Sequence, residues 1–378
     1  KEFQLGKPVR RARLYATARG VYELYINGNR VGNDVLAPGW TDYDRRIQYQ
    51  TYDVTPLLAE GQNALGAVLG DGWFAGFVGF DPKHRGAHYG ARPQLLAQLN
   101  VEYEDGTTES LATEGSWRCS TGPILFSDLL MGESYDARRE MPGWAEPGFD
   151  DSQWYGVEAE EIEDTNLVAQ PDEGIRVTEE LEAKTVTEPE SGRYVFDLGR
   201  NMVGWVRLKV EGEAGTKVTL RHAEALKPEG TIYTENLRSA RQTDTYILKG
   251  EGEEVYEPRF TFHGFRYVEV TGYPGEPQPD AITGRVVHSA TPPSGSFECS
   301  SSLVNKLQEN IVWGQRGNFL SVPTDCPQRD ERLGWTADIQ VFAPTASFLF
   351  NAAGFLTNWL SDLAVAQQKD GSVPFVIP

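Results

Sequence analysis

The chain has 378 residues, enough for two or three domains that each bury a core. Its 39% hydrophobic and 11% aromatic content excludes a disordered chain. A net charge of −20 makes nucleic acid, anionic membrane surfaces and polyanionic substrates poor partners, and a neutral ligand fits better.

No apolar run approaches the roughly twenty residues that span a bilayer. The chain opens on Lys1 rather than Met, and residues 1–20 lack the continuous apolar core of a signal peptide, so the sequence reads as a piece that begins inside a longer protein. Cys119, Cys299 and Cys326 are too few and too scattered for a disulfide framework or a zinc site, and each is expected to be a small buried thiol. Scarce, unpaired cysteines lean towards the cytoplasm. The histidines His84, His88, His222, His263 and His288 form no Cys/His cluster in sequence; His84 and His88 are four apart, but in a Gly-rich loop with no third ligand nearby.

Residues 1–175 read as a first β-sandwich. Tyr22 to Ile26 alternates in the strand period and runs into Asn27-Gly28, a hairpin dipeptide that tolerates positive φ. Gly61 to Gly70 reads as a buried strand, and Asp105-Gly106 marks a further hairpin after Leu99 to Tyr103. Two aromatic Gly/Pro loops, Leu36 to Asp44 and Gly70 to Gly76, hold Trp40 and Trp73. Either indole could be a platform for a sugar ring, or both could plug one end of the sandwich. From Glu158 to Glu190 twelve acidic residues face Arg176 and Lys184, and the run reads as a solvated connector.

Residues 185–290 read as a second β-sandwich, with Val206 to Val210 and Lys217 to Arg221 alternating apolar with polar. Phe196 to Trp205 looks like a Gly-punctuated loop that opens it. At Thr291-Pro292-Pro293-Ser294-Gly295 the composition changes. From 296 to 378 the period is helical: Ser300, Ser301 and Ser302 are candidate N-caps for a helix through Leu303, Leu307 and Ile311. Ile339 to Phe350 forms a second helix that Pro344 should kink, and Phe355 to Ala366 a third. Three helices are too few to close an all-α domain, so the sequence is expected to stop early in its last domain.

The chemistry concentrates in Val322 to Asp338, where a β-patterned chain turns helical. A helix running from Glu331 would put Glu331, Trp335 and Asp338 on one face, with Asp325 arriving from a loop ahead of Pro327. An acid, an aromatic platform and further carboxylates on one cavity suit glycoside cleavage, with Glu331 the proton donor: a carboxyl beside an indole and apolar helices is desolvated and keeps its proton. Asp325, Asp330 and Asp338 would then need Arg329 and Arg332, or substrate hydroxyls, to offset their charge. The competing reading is an ion-pair network at a domain junction.

T-D-C-P-Q-R-D-E-R-L-G-W-T-A-D (Thr324 to Asp338), L-A-P-G-W-T-D-Y (Leu36 to Tyr43), G-D-G-W (Gly70 to Trp73) and T-E-N-L-R-S-A-R (Thr234 to Arg241) resemble the bacterial α-L-rhamnosidases. The resemblance implies a multidomain fold of two all-β sandwich or jelly-roll domains, the first galactose-binding-like, followed by the truncated start of an all-α (α/α)6 barrel. It implies an inverting glycosidase that takes a rhamnosylated glycoside or polysaccharide, with Glu331 as general acid and Asp325, Trp335 and Asp338 holding the terminal rhamnose. Ala337 stands where the family commonly has glycine. The general base is a glutamate of a later barrel helix, beyond residue 378, so this stretch alone is expected to be inactive. No metal or other cofactor is implied for catalysis; calcium stays open for the first sandwich, with no ligands assigned. The alternative is a rhamnose-binding module attached to a degenerate barrel.

Overall fold

The computed structural model describes residues 1–81, 83, 85–161 and 166–378. His84 and part of the acidic run therefore lie outside the described residues. Strands dominate, in two sandwich-like units followed by a short helical part.

In the first unit, Val9–Arg19 lies at the centre of a five-stranded sheet, between Ile47–Asp53 and Gln94–Tyr103, with Leu167–Ala169 and Thr108–Ala112 at the edges. Four strands, in the order Glu2–Leu5, Gly61–Gly70, Val21–Ile26 and Asn29–Arg30, face it. Leu14, Leu24, Ile26, Leu65, Leu99 and Val101 fill the space between the sheets. Both hairpins form where the turn dipeptides stand: Asn27 and Gly28 take φ of 50° and 77°, and Gly106 takes 81°.

The second unit is a ten-stranded sheet built on the 19-residue strand Arg193–Glu211. The stretch Phe196 to Trp205 is thus strand, not loop. Its register against His263–Thr271 breaks between Asp197 and Met202, with Gly199 at φ 80°. The glycine absorbs a bulge, and the residues on either side go on pairing. Two earlier strands, Ile124–Asp128 and Gly132–Asp136, join this sheet, the latter parallel to Thr243–Ile247.

The acidic run is likewise more than a connector. Ile175–Glu182 and Thr185–Glu190 are strands of the same sheet, and their carboxylates meet cations: Glu179 pairs with Arg316 at 2.9 Å and Glu180 with Arg207 at 3.2 Å. Charges on the solvent face masked the alternation of Val177 and Ile175 in the sequence.

Helices α1 (Ser302–Asn318), α2 (Thr336–Leu349) and α3 (Ala353–Ala366) form the last part. Ser301 caps α1, its Oγ accepting from Val304 N at 3.5 Å, and Pro344 sits inside α2. No helix among the described residues is long and apolar enough to cross a membrane.

One apolar cluster joins all three parts. Ile339, Phe355 and Trp359 from the helices meet Trp205 and Phe260 of the second unit and Trp40 and Trp73 of the first. Trp40 and Trp73 are buried and stacked on each other, with centroids 6.3 Å apart and planes at 13°. Both indoles therefore plug a junction, and neither offers a face to a sugar. A buried ion pair, Arg46 with Asp362 at 2.7 Å, ties the first unit to α3. The cysteines are free, as expected, but Cys119 is exposed and Cys299 and Cys326 half-buried, since none faces a hydrophobic core.

Candidate active site

Residues 325–334 form a compact loop, not the start of a helix. A bridge between Thr324 and Gly334 closes it, and Asp325 N donates to Leu333 O at 2.8 Å. Cys326 and Arg332 adopt φ of 53° and 59°, a left-handed conformation no helix admits. Gly334 is required at the exit: a Cβ there would lie 2.1 Å from Ile377 O. Helix α2 begins only at Thr336, with Trp335 as its N-cap. The shared helical face inferred for Glu331, Trp335 and Asp338 therefore does not exist.

Glu331 and Trp335 nevertheless meet. Trp335 Nε1 donates to Glu331 Oε1 at 3.0 Å, a contact made by the bend of the loop. Glu331 is 6% exposed, and its other oxygen, Oε2, accepts from Arg329 Nη2 at 3.0 Å and Arg238 Nη2 at 3.1 Å. Asp325, half-buried, places a carboxylate oxygen within 4.8 Å of Glu331's, and its Oδ2 accepts from Cys326 Sγ at 3.0 Å. Burial and the Asp325 carboxylate together push the Cys326 thiol up to about 12, so it serves as a donor and not as a thiolate. Asp338 is exposed in the first turn of α2; among the described residues no hydrogen bond or ion pair joins it to the other three.

The second cation on Glu331 is not the one the motif suggested. Arg332 turns away and is buried, its Nη1 donating to Phe262 O at 2.6 Å and its guanidinium 4.5 Å from the Phe262 ring. Burial pushes this guanidinium down to about 9. It pins the loop to the second unit, and Arg238 of that unit supplies the charge instead. Arg238 and Ser239 follow the short turn Glu235–Leu237 and reach across to the loop. Arg238 Nε donates to Asp330 Oδ1, Arg238 Nη2 to Asp330 O at 2.9 Å, and Ser239 N to Asp330 Oδ2 at 3.1 Å. Asp330, buried, thus anchors Arg238 beside Glu331. The first unit also touches the loop: Gly79 N donates to Glu331 O at 3.1 Å, and the exposed ring of Phe80 lies 5.8 Å from the Arg238 guanidinium.

Arg238 and Ser239 carried one signal in the sequence, their place in T-E-N-L-R-S-A-R, but nothing local said what they would face. The atoms of Asp325, Cys326 and Glu331 also lie close enough together to hold a cation. The two guanidiniums already on Glu331 make that a poor metal centre. What the arrangement offers is a buried, oriented carboxyl group with an indole on one oxygen and a second carboxylate close by.

Three family models match the chain in sequence. They are an alpha-L-rhamnosidase N-terminal domain over residues 7–179, a bacterial alpha-L-rhamnosidase concanavalin-like domain over 187–288, and a bacterial alpha-L-rhamnosidase 6 hairpin glycosidase domain over 292–378. An α-L-rhamnosidase of Streptomyces avermitilis is 60% identical over 100% of this chain and 36% of its own length. The crystal structure of the Streptomyces avermitilis α-L-rhamnosidase complexed with L-rhamnose superposes with a TM-score of 0.97 at 59% identity, covering 100% of this chain and 37% of that one. The native α-L-rhamnosidase of Aspergillus terreus superposes with a TM-score of 0.97 at 44% identity, covering 100% and 44%. The chain thus spans little more than a third of the length of the curated relative. Matched in order over almost all of its residues by that family's domains, the chain belongs to the bacterial α-L-rhamnosidases.

Proposed function

We propose that this chain supplies the proton donor and part of the sugar-holding wall of an enzyme that hydrolyses terminal α-L-rhamnosyl linkages with inversion. The observation that carries the reading is the placement of the Glu331 carboxyl group, which Trp335, Arg238 and Arg329 orient on an irregular loop; its surroundings are cationic and not the apolar helices the sequence suggested. The L-rhamnose bound in the Streptomyces avermitilis relative supports a rhamnosyl substrate.

In this reading Glu331 protonates the glycosidic oxygen as the bond to the aglycone breaks, and Asp325, Trp335 and Asp338 hold the rhamnosyl ring. Inversion needs a second carboxylate about 6.5–9.5 Å away to activate a water on the opposite face. Asp325 does not fit that part: its oxygen is within 4.8 Å of Glu331's, too close to leave room for the water. We assign it to substrate hydroxyls, and the base to a carboxylate of the six-hairpin barrel beyond residue 378. The reaction calls on no cofactor. A rhamnose-binding role for the first unit loses its two indole platforms, because Trp40 and Trp73 are buried.

Glu331→Gln in the full-length protein tests the assignment. Hydrolysis of a rhamnoside with a poor leaving group should fall about 10²–10⁴-fold, and that of an activated aryl rhamnoside less, because only the former needs the proton. Near-normal turnover of the poor substrate would overturn it.

A further inference from the structure

The second unit encloses a cluster of ligand-type side chains that the proposed hydrolysis does not use. His222 on Lys217–Ala223, Asp244 on Thr243–Ile247 and His263 at the start of His263–Thr271 converge inside the ten-stranded sheet, each fully buried. One ligand atom from each lies within 4.8 Å of the others. Asp244 Oδ2 is 2.9 Å from His263 Nε2 and 3.9 Å from His222 Nε2. These distances bracket the roughly 3.3 Å that separates two ligands bonded at 2.0–2.1 Å to a tetrahedral ion.

The proton position on His222 favours an ion, whereas His263 keeps its Nδ1 buried without a partner. His222 Nδ1 faces Gln242 O at 3.0 Å, and a carbonyl only accepts, so Nδ1 carries the hydrogen and Nε2 presents a lone pair towards Asp244. That lone pair has no partner and is sealed from solvent. A backbone carbonyl holding the far nitrogen is the arrangement that orients metal-bound imidazoles. The carboxylate is oriented in the same way, its Oδ1 accepting from Glu133 N at 2.8 Å.

We propose that His222, Asp244 and His263 bind a divalent transition metal of the zinc class, with a fourth position left for water. Two nitrogens and one oxygen suit zinc and its neighbours and not calcium or magnesium, which take oxygen ligands. Binding displaces the Nε2 proton of His263 and places the cation between Asp244 and His222. The role is positional. His222 and Asp244 bracket the excursion from Ala223 to Thr243 that carries Arg238 and Ser239 to Asp330 and Glu331, so the ion would clamp the base of that excursion.

The test strips the protein with a chelator and titrates it with Zn²⁺ and Co²⁺. One metal per chain by mass analysis, a raised Tm, and a Co²⁺ spectrum of nitrogen and oxygen ligation without a thiolate charge-transfer band would support the site. Affinity should fall more than about a hundredfold in His222→Gln and in Asp244→Asn and hold in Cys326→Ser. If the two core variants do not fold, the Co²⁺ spectrum of the unaltered protein still decides. No uptake by folded protein, a thiolate band, or loss of the metal in Cys326→Ser would each overturn the proposal, the last two by moving the ion to Asp325, Cys326 and Glu331.

Discussion

Two regions of the molecule bury carboxylates, and they do so in different ways. Glu133, in the ten-stranded sheet, is 1% exposed; its oxygens accept from Tyr256 OH at 3.1 Å and Arg259 N at 3.0 Å, an uncharged hydroxyl and a backbone amide. Burial pushes it up to about 7. Glu331, in the loop 325–334, is about as buried but faces two guanidiniums whose side chains are 43% and 35% exposed. The sheet holds its acid on regular backbone with fixed partners. The loop holds its acid on left-handed residues with partners that reach in from solvent and from another unit. Burial of a carboxylate therefore does not mark a site by itself. Access, irregular backbone and cations at the rim do.

The largest effect should separate the regions by stability. Asp244 accepts from Glu133 N and His263 Nε2 deep in the sheet, so Asp244→Ala leaves both donors unpaired and should cost about 3–5 kcal/mol in urea unfolding. Asp325→Ala, at the half-buried loop, should cost under about 1 kcal/mol. Equal losses would mean that the loop is as much a part of the folding core as the sheet.

Next comes the pH dependence of Glu133. Its pKa is raised from 4.5 unfolded to about 7 folded, so between these values the folded chain holds the extra proton. Its contribution to stability is full below pH 4.5 and is lost as pH rises through about 7. Glu133→Gln removes that titration while keeping an oxygen for Arg259 N and an amide for Tyr256. Chemical denaturation across this window should show the variant gaining on the parent by at most on the order of 1 kcal/mol per pH unit. Parallel profiles would place the titration elsewhere.

The same contrast explains what was legible in the sequence. Hairpins at Asn27-Gly28 and Asp105-Gly106, the Ser301 cap and three helices could be read because each is set by neighbours in the chain. The motif drew attention to Glu331, Asp325 and Trp335 together, but by a helical spacing that the loop does not have. Pro327, Gly334 and the left-handed Arg332 break the period, and Trp335 reaches Glu331 through the bend. The trio His222, Asp244 and His263 was not legible, because only strand pairing brings it together, and the partners of Arg238 and Ser239 were not, because a turn between strands carries both to the 325–334 loop. Phe196 to Trp205 was misread since a glycine inside a bulged strand resembles a glycine in a loop.

The smallest stability effect is expected at Arg238, and it sharpens the contrast most. The Arg238 side chain is 43% exposed, so Arg238→Ala should change global stability by less than about 1 kcal/mol. Locally it removes the donor that spans Asp330 and Glu331 and leaves Asp330 with Ser239 alone from that unit. Amide exchange of residues 325–334 should then rise severalfold while that of Lys217–Ala223 stays as it was, because sub-global opening follows the contacts that close the loop. Unchanged exchange in the loop would mean that Arg332, pinned to Phe262, closes it without help from Arg238, and that Arg238 serves only the charge of Glu331.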